Sequence, residues 1–112
     1  MTSEELNTAL YHKMYAEQER FKAYLMSTTP HEVLELAYEY VCREDILLCL
    51  ENNDLSARHA EALIKSDTPL SDVFAKWESW DNKQMRHILE CAEHCANEVL
   101  RAKFAASKQE ER

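Results

Sequence analysis

The chain has 112 residues, a length typical of one domain with a single hydrophobic core. It contains no glycine, which excludes the glycine-built motifs that cradle phosphates or expose a catalytic serine. Its net charge of −8 disfavours direct nucleic-acid binding and favours basic partners. We therefore predict a protein that is not an enzyme and carries no cofactor.

The sequence predicts two long helices in the first half of the chain. The first runs from about Glu4 to Met26, with Thr2 or Ser3 as its N-cap. Thr29-Pro30 opens the second, which extends to about Asn52. Because the apolar residues of the second helix form more than one stripe, we expect it to be the central helix. The first helix carries one buried stripe, Leu6, Leu10, Met14, Phe21 and Leu25, and Lys13, Glu17 and Arg20 are placed elsewhere.

Three further helices follow. Ser56 caps a short third helix that runs to Lys65, and Thr68-Pro69 opens a fourth. Asp81 and Gln84 have the capping-box spacing that starts the last helix. Its predicted inward face comprises Met85, Ile88, Leu89, Ala92, Cys95, Ala96, Val99 and Leu100.

The predicted elements contain no strand and no linker between domains. We expect an all-α protein, a single compact bundle of four to five helices. The domain spans residues 1–112, with residues 1–3 and 106–112 frayed at the termini.

The acidic residues are concentrated in one segment. Residues 31–56 hold seven acids and one base, which is −6 of the net charge of −8. A charge run is often only a solvated helix face, and the functional interpretation is a docking surface for a protein with a basic surface. The predicted partner-binding carboxylates are Glu32, Glu35, Glu39, Glu44, Asp45, Glu51 and Asp54.

Aromatic residues cluster near the end of the fourth helix. We expect Phe74 and Trp77 to be buried under the second helix. Trp80 lies at a helix boundary, and we predict that it is a partly exposed anchor for the partner.

The cysteines and histidines allow an alternative function. Cys42 and Cys49 on the second helix, with Cys91, His94 or Cys95 on the last, could form a tetrahedral zinc site or a thiol switch. Their spacing is that of helical packing, and the paired-cysteine knuckle of strong zinc motifs is absent from the sequence. We therefore predict no metal ligand and keep a thiol- or zinc-dependent regulator as an alternative.

The chain begins with a polar, acidic segment. This segment lacks the basic and apolar regions of an export signal, and the longest apolar run, Ile46–Leu50, is too short to cross a bilayer. We expect a cytoplasmic protein, in which cysteines are thiols.

Several short strings within residues 4–80 are distinctive, and they include Met14–Glu19, Ala37–Tyr40, Arg43–Leu47, Leu55-Ser56, Asp72–Phe74 and Trp77-Glu78. Together they resemble an uncharacterised family of small helical proteins found in gut bacteria and their mobile elements. The resemblance implies no reaction and no catalytic residue. A mobile-element setting implies inhibitors of host defence, of which anti-CRISPR proteins that occupy a nuclease's basic channel are one class.

The sequence thus predicts a non-enzymatic, acidic protein-binding module of a phage or mobile element. In its most specific form the module inhibits a nucleic-acid-binding host protein, such as a nuclease. A homo-oligomeric assembly factor, with the second helix as the subunit interface, is a further alternative.

Overall fold

The computed structural model describes residues 1–80 and 83–110, with side chains for residues 1–80 and 86–107. The described residues form five helices and no strand, which confirms the all-α prediction. No helix in these ranges is long and apolar enough to cross a membrane. The helices are α1 (Ser3–Ser27), α2 (Pro30–Asn52), α3 (Ala57–Ile64), α4 (Pro69–Ser79) and α5 (Lys83–Glu110).

The predicted single compact bundle is wrong. The chain divides into two compact units, Met1–Ser79 and Trp80–Arg112. The first unit contains α1 to α4, and the second contains α5. Helical periodicity predicts each helix correctly, but it does not say which of them share a core.

Side-chain caps start α1, α2 and α3 where the sequence predicts them. The hydroxyl oxygen of Thr2 accepts a hydrogen bond from the Glu5 amide at 3.1 Å. Ser56 caps α3 in the same way, and Thr29 caps α2, with its hydroxyl oxygen 3.2 Å from the Glu32 amide. The predicted cap at Asp81 lies outside the described residues. Satisfied amides at these starts explain why the predicted and observed boundaries agree closely.

Helix α1, and not α2, is central in the first unit. It packs against α2, α3 and α4, whereas α2 packs mainly against α1 and α4. The extra apolar stripe of α2, which includes Leu34, Val41 and Leu48, is exposed. The core cluster comprises Leu6, Leu10, Met14, Leu47, Ala60 and Leu70.

Two burial predictions near the end of α4 have different outcomes. Phe74 is buried and makes an edge-on contact with Tyr38, so its predicted burial is confirmed. Trp77 is 49% exposed, and its predicted burial is wrong. Trp77 lies three residues after Phe74, only about 60° around α4 from it, so helical spacing by itself does not ensure its burial.

The predicted inward face of α5 is exposed wherever its side chains are described. Leu89 is 60% exposed and Leu100 is 63% exposed. The side chain of Met85 lies outside the described residues. The helix continues to Glu110, beyond the residues at which the polar tail begins. The prediction that this face contributes to a common core is therefore wrong.

Candidate functional site

The predicted docking carboxylates do not share one face of α2. Successive residues rotate by about 100°, so two carboxylates far apart in sequence can lie on opposite sides of the helix. The last of the seven, Asp54, lies beyond the end of α2 in the loop before α3. The other six carboxylates lie on α2 and point in three directions around its axis. Glu32, Glu35 and Glu39 share the first direction. Glu44 and Glu51 share the second, and Asp45 points in the third.

The carboxylates near the start of α2 have local partners. Glu32 accepts hydrogen bonds from the hydroxyls of Thr28 and Tyr24. These two donors, the Thr28 hydroxyl first, hold the pKa of Glu32 below its usual value. Glu35 lies 3.0 Å from the imidazole of His31 one turn earlier. These side chains are already held by the protein itself, which reduces what they offer a partner.

Arg43 neutralises the third carboxylate of this group. Its guanidinium donates to Glu39 at 2.7 and 2.9 Å, lies 3.8 Å from Glu17, and stacks 4.2 Å from the centre of the Phe21 ring. Arg43 and Glu17 are both buried. A buried arginine requires such a set of partners, because an unpaired charge in the interior is costly. Residues 31–56 contain no other lysine or arginine, and this one is used internally.

Glu17 also caps α4. Its two carboxylate oxygens accept the backbone amides of Leu70 and Ser71, each at 2.9 Å. The first amides of a helix have no partner within it, and their partial positive charge favours a carboxylate. Pro69, which has no amide hydrogen, precedes these two donors. Glu17 therefore joins α1, α2 and α4, and its predicted placement away from the buried stripe is wrong.

The remaining acids include two that line an open cavity. Glu51 and Asp54 meet Glu4 of α1 at a cavity of about 320 Å³. No described lysine, arginine or histidine lies within ion-pair distance of these three carboxylates. We call this cavity the acidic notch, defined by its lining residues Glu4, Asn7, Thr8, Tyr11, Leu50, Glu51 and Asp54.

Two side chains of α1 shape the acidic notch. The Asn7 amide nitrogen donates to the carbonyl of Leu55, and the Leu55 amide donates to the Asn7 oxygen, both at 2.9 Å. This pair holds the loop that carries Asp54 against α1. Burial, followed by the charge of Glu51, raises the pKa of the Tyr11 phenol. A tyrosine phenol holds its proton at neutral pH, so Tyr11 can donate a hydrogen bond into the notch.

A family model for a protein of unknown function, DUF3848, matches residues 6–100. The chain belongs to this family. Neither the search of curated proteins nor that of solved structures gave a match. The family match confirms the predicted kind of family and extends past residue 80, where the recognised strings end. An origin in gut bacteria or mobile elements stays a prediction.

The DUF3848 match thus covers all eight predicted site residues. Besides Glu32, Glu35 and Glu39, three more of them do not line the notch. Glu44 is exposed and accepts a hydrogen bond of 3.0 Å from the buried amide of Gln18. Asp45 is exposed on the outer side of α2. Trp80 is 65% exposed and begins the second unit. The structure therefore brings together only Glu51 and Asp54 of the eight predicted residues at one cavity.

The cysteines of this family member are all free thiols. Cys42 is buried, whereas Cys49, Cys91 and Cys95 are exposed. Within the described residues, no three His, Cys, Asp or Glu side chains are grouped to hold a metal ion. His94 is paired with Glu98 at 3.1 Å. The thiol- or zinc-dependent alternative gains no supporting geometry from these residues.

Sequence reasoning missed Glu4 and Glu17. Glu17 follows Met14 by three residues and precedes Phe21 by four, so it continues the buried stripe of α1. An acid at a buried position is a signal for an internal cation or a helix start, and Arg43 and Pro69 were both available. Glu4 gives no such signal, because only the packing of α1 on α2 brings it to Glu51.

Proposed function

We propose that this protein is a non-enzymatic protein-binding module, and that its acidic notch takes up a lysine or arginine side chain of a basic partner. The observation that carries this proposal is the convergence of Glu4, Glu51 and Asp54, from two helices and a loop, at one open cavity. These carboxylates have no ion-pair partner among the described residues. A cation entering the notch would face all three, and complementary charge supports both specificity and rapid association.

The rest of the acidic segment supports the proposal because its negative charge attracts a basic partner towards this unit. Exposed Glu44 and Asp45 add to the negative potential around α2 and raise the rate at which a basic partner arrives. Glu39, which Arg43 neutralises, adds little. The proposal therefore reduces the predicted docking surface of eight residues to the acidic notch, with Glu44 and Asp45 as additional exposed acids. Trp80 stays a proposed apolar anchor in the second unit.

The partner class that we propose to test first is a nucleic-acid-binding protein, such as a nuclease. Such proteins expose the basic channels that an acidic module of net charge −8 can occupy. A role in a phage or mobile element, with an anti-CRISPR inhibitor as the most specific form, is supported by the family resemblance. No reaction chemistry is part of this proposal.

Charge reversal at the notch tests the proposal. The double variant Glu51→Lys/Asp54→Lys is compared with Glu19→Lys/Glu61→Lys, which reverses two exposed acids of the first unit and changes the net charge equally. The probe is a fluorescent peptide rich in lysine and arginine, measured by anisotropy at low and high salt. We expect the notch variant to lose roughly tenfold more affinity than the control, and added salt to weaken the wild type.

A second readout locates the bound cation. In an amide NMR spectrum, the Asn7 side-chain amide should shift when the peptide is added, because it lies at the notch and bonds to the Asp54–Leu55 loop. If both double variants lose affinity equally, the binding depends on net charge alone and the notch is not the site. Circular dichroism of each variant confirms that the helices are retained.

A further inference from the structure

Helix α5 carries an exposed apolar face in a chain that is otherwise rich in charge. We define the α5 face by Ile88, Leu89, Ala92, Ala96, Val99 and Leu100, which lie within about 60° of one direction over about 18 Å of helix. Its four large side chains are between 56% and 63% exposed. Most helices in proteins owe their stability to packing of such a face, so α5 needs a covering surface.

We propose that α5 pairs with α5 of a second copy of this chain, in antiparallel orientation. This inference does not depend on the acidic notch, which lies in the first unit. Large residues occupy both ends of the α5 face, and small Ala92 and Ala96 lie between them. In an antiparallel pair centred near residues 94 and 95, Ile88 and Leu89 of one copy pack against Val99 and Leu100 of the other. The small alanines between them allow the two backbones to approach closely.

The exposed area suits a dimer of moderate affinity. Each large residue of the face still exposes on the order of 100 Å², and the alanines and the flanking Phe104 add to this area. The total is on the order of 600 Å² per copy, somewhat below the 800 Å² per partner of a standard stable interface. We therefore expect a dimer that dissociates on dilution.

Two charged residues near the face bear on its orientation, and Lys103 favours the antiparallel pair. Lys103 lies in line with the centre of the face, one turn beyond Leu100. A parallel pair would bring Lys103 against its own copy in the seam, whereas an antiparallel pair separates the two lysines by about 25 Å. Glu93 lies on one flank and would meet its own copy in the antiparallel pair, so its charge limits the affinity.

Cys95 provides a built-in reporter of orientation. It lies about 80° from the centre of the face, on the flank opposite Glu93. A twofold axis perpendicular to the helices brings each flank against the same flank of the other copy, whereas a parallel pair brings opposite flanks together. The antiparallel dimer therefore places the two Cys95 thiols close together near its centre, and a parallel dimer does not.

The first experiment measures the mass of the full chain in solution by sedimentation velocity over a wide range of concentration. We expect a reversible monomer–dimer equilibrium that Val99→Glu weakens at least tenfold. Leu34→Glu is the matched control, because it places the same charge at an exposed apolar position on α2. Glu93→Gln should tighten the dimer by roughly twofold, since it removes a like-charge contact.

Thiol cross-linking with a short bismaleimide then tests the orientation. A variant that retains Cys95 alone should cross-link rapidly as a dimer, and one that retains Cys91 alone should cross-link slowly. A chain that is monomeric at every concentration, or a dimer that survives Val99→Glu and is lost in Leu34→Glu, would overturn the proposal. Rapid cross-linking through Cys91 but not Cys95 would overturn the antiparallel arrangement.

Discussion

Helices α1 and α5 have similar lengths, and each carries a stripe of apolar residues at helical spacing, but the two stripes have opposite environments. In α1, Leu10 and Met14 are fully buried against the other helices of the first unit. In α5, Leu89 and Leu100 occupy the corresponding kind of stripe and remain exposed. The comparison teaches that periodicity identifies a helix and the face it will bury, while the covering surface depends on the rest of the molecule.

The two helices also differ in how they use polar residues. Helix α1 sends Asn7, Lys13 and Glu17 to backbone groups of distant segments, including the Ile64 carbonyl, which accepts from Lys13 at 2.8 Å. In the described part of α5, His94 pairs with Glu98, one turn apart on the same helix. Long-range polar contacts fix how α1 sits among its neighbours, and apolar burial alone would specify its position less tightly.

The largest expected difference in unfolding free energy is between a leucine truncated in α1 and a leucine truncated in α5. Leu10→Ala should lower the free energy of unfolding of the first unit by about 3 kcal/mol, because it leaves a cavity in the core. Leu100→Ala should change that free energy by less than about 0.5 kcal/mol, because the side chain lies outside this core. Urea unfolding followed by hydrogen exchange of α1 peptides measures both, and equal losses would contradict the comparison.

Removing the charge of Glu17 should have the next largest effect. Glu17→Gln weakens the cap of α4 and leaves Arg43 with Glu39 as its remaining carboxylate partner. We expect a loss of about 2–3 kcal/mol in the unfolding free energy of the first unit. Exposed Glu19→Gln is the matched control and should cost less than about 0.5 kcal/mol. A Glu17 variant as stable as this control would show that the network does not hold α4 in place.

The smallest expected effect is the loss of the stabilising contribution of Glu32 at low pH. Because hydrogen bonds from Thr28 and Tyr24 lower the pKa of Glu32 below 4.5, its contribution to stability is present above pH 4.5. The contribution is lost as pH falls through the lowered folded-state pKa. Thr28→Val removes the larger cause, so the pKa of Glu32 should move up towards 4.5 in a carboxyl NMR titration. An unchanged pKa would mean that the Thr28 hydroxyl does not stabilise the carboxylate.

Much of the first unit was predictable because its signals are local. Thr2, Thr29 and Ser56 cap helices where the sequence places them, since a cap depends on residues within one turn. The buried positions Leu6, Leu10 and Met14 follow from period alone. The candidate site was only half predictable, because Glu51 and Asp54 are visible as acids while Glu4 reaches them through packing.

By itself, the sequence determined the helical class, the helix boundaries and the faces that need cover, because these depend on neighbouring residues along the chain. The tertiary structure decided that α1 is central, that Glu17 and Arg43 are buried together, and that Glu39 has an internal partner while Glu51 lines an open notch. Those outcomes depend on contacts between residues about 25 to 55 positions apart. Such contacts form only when the helices pack together, and no pattern within one helix specifies which helices pack against each other.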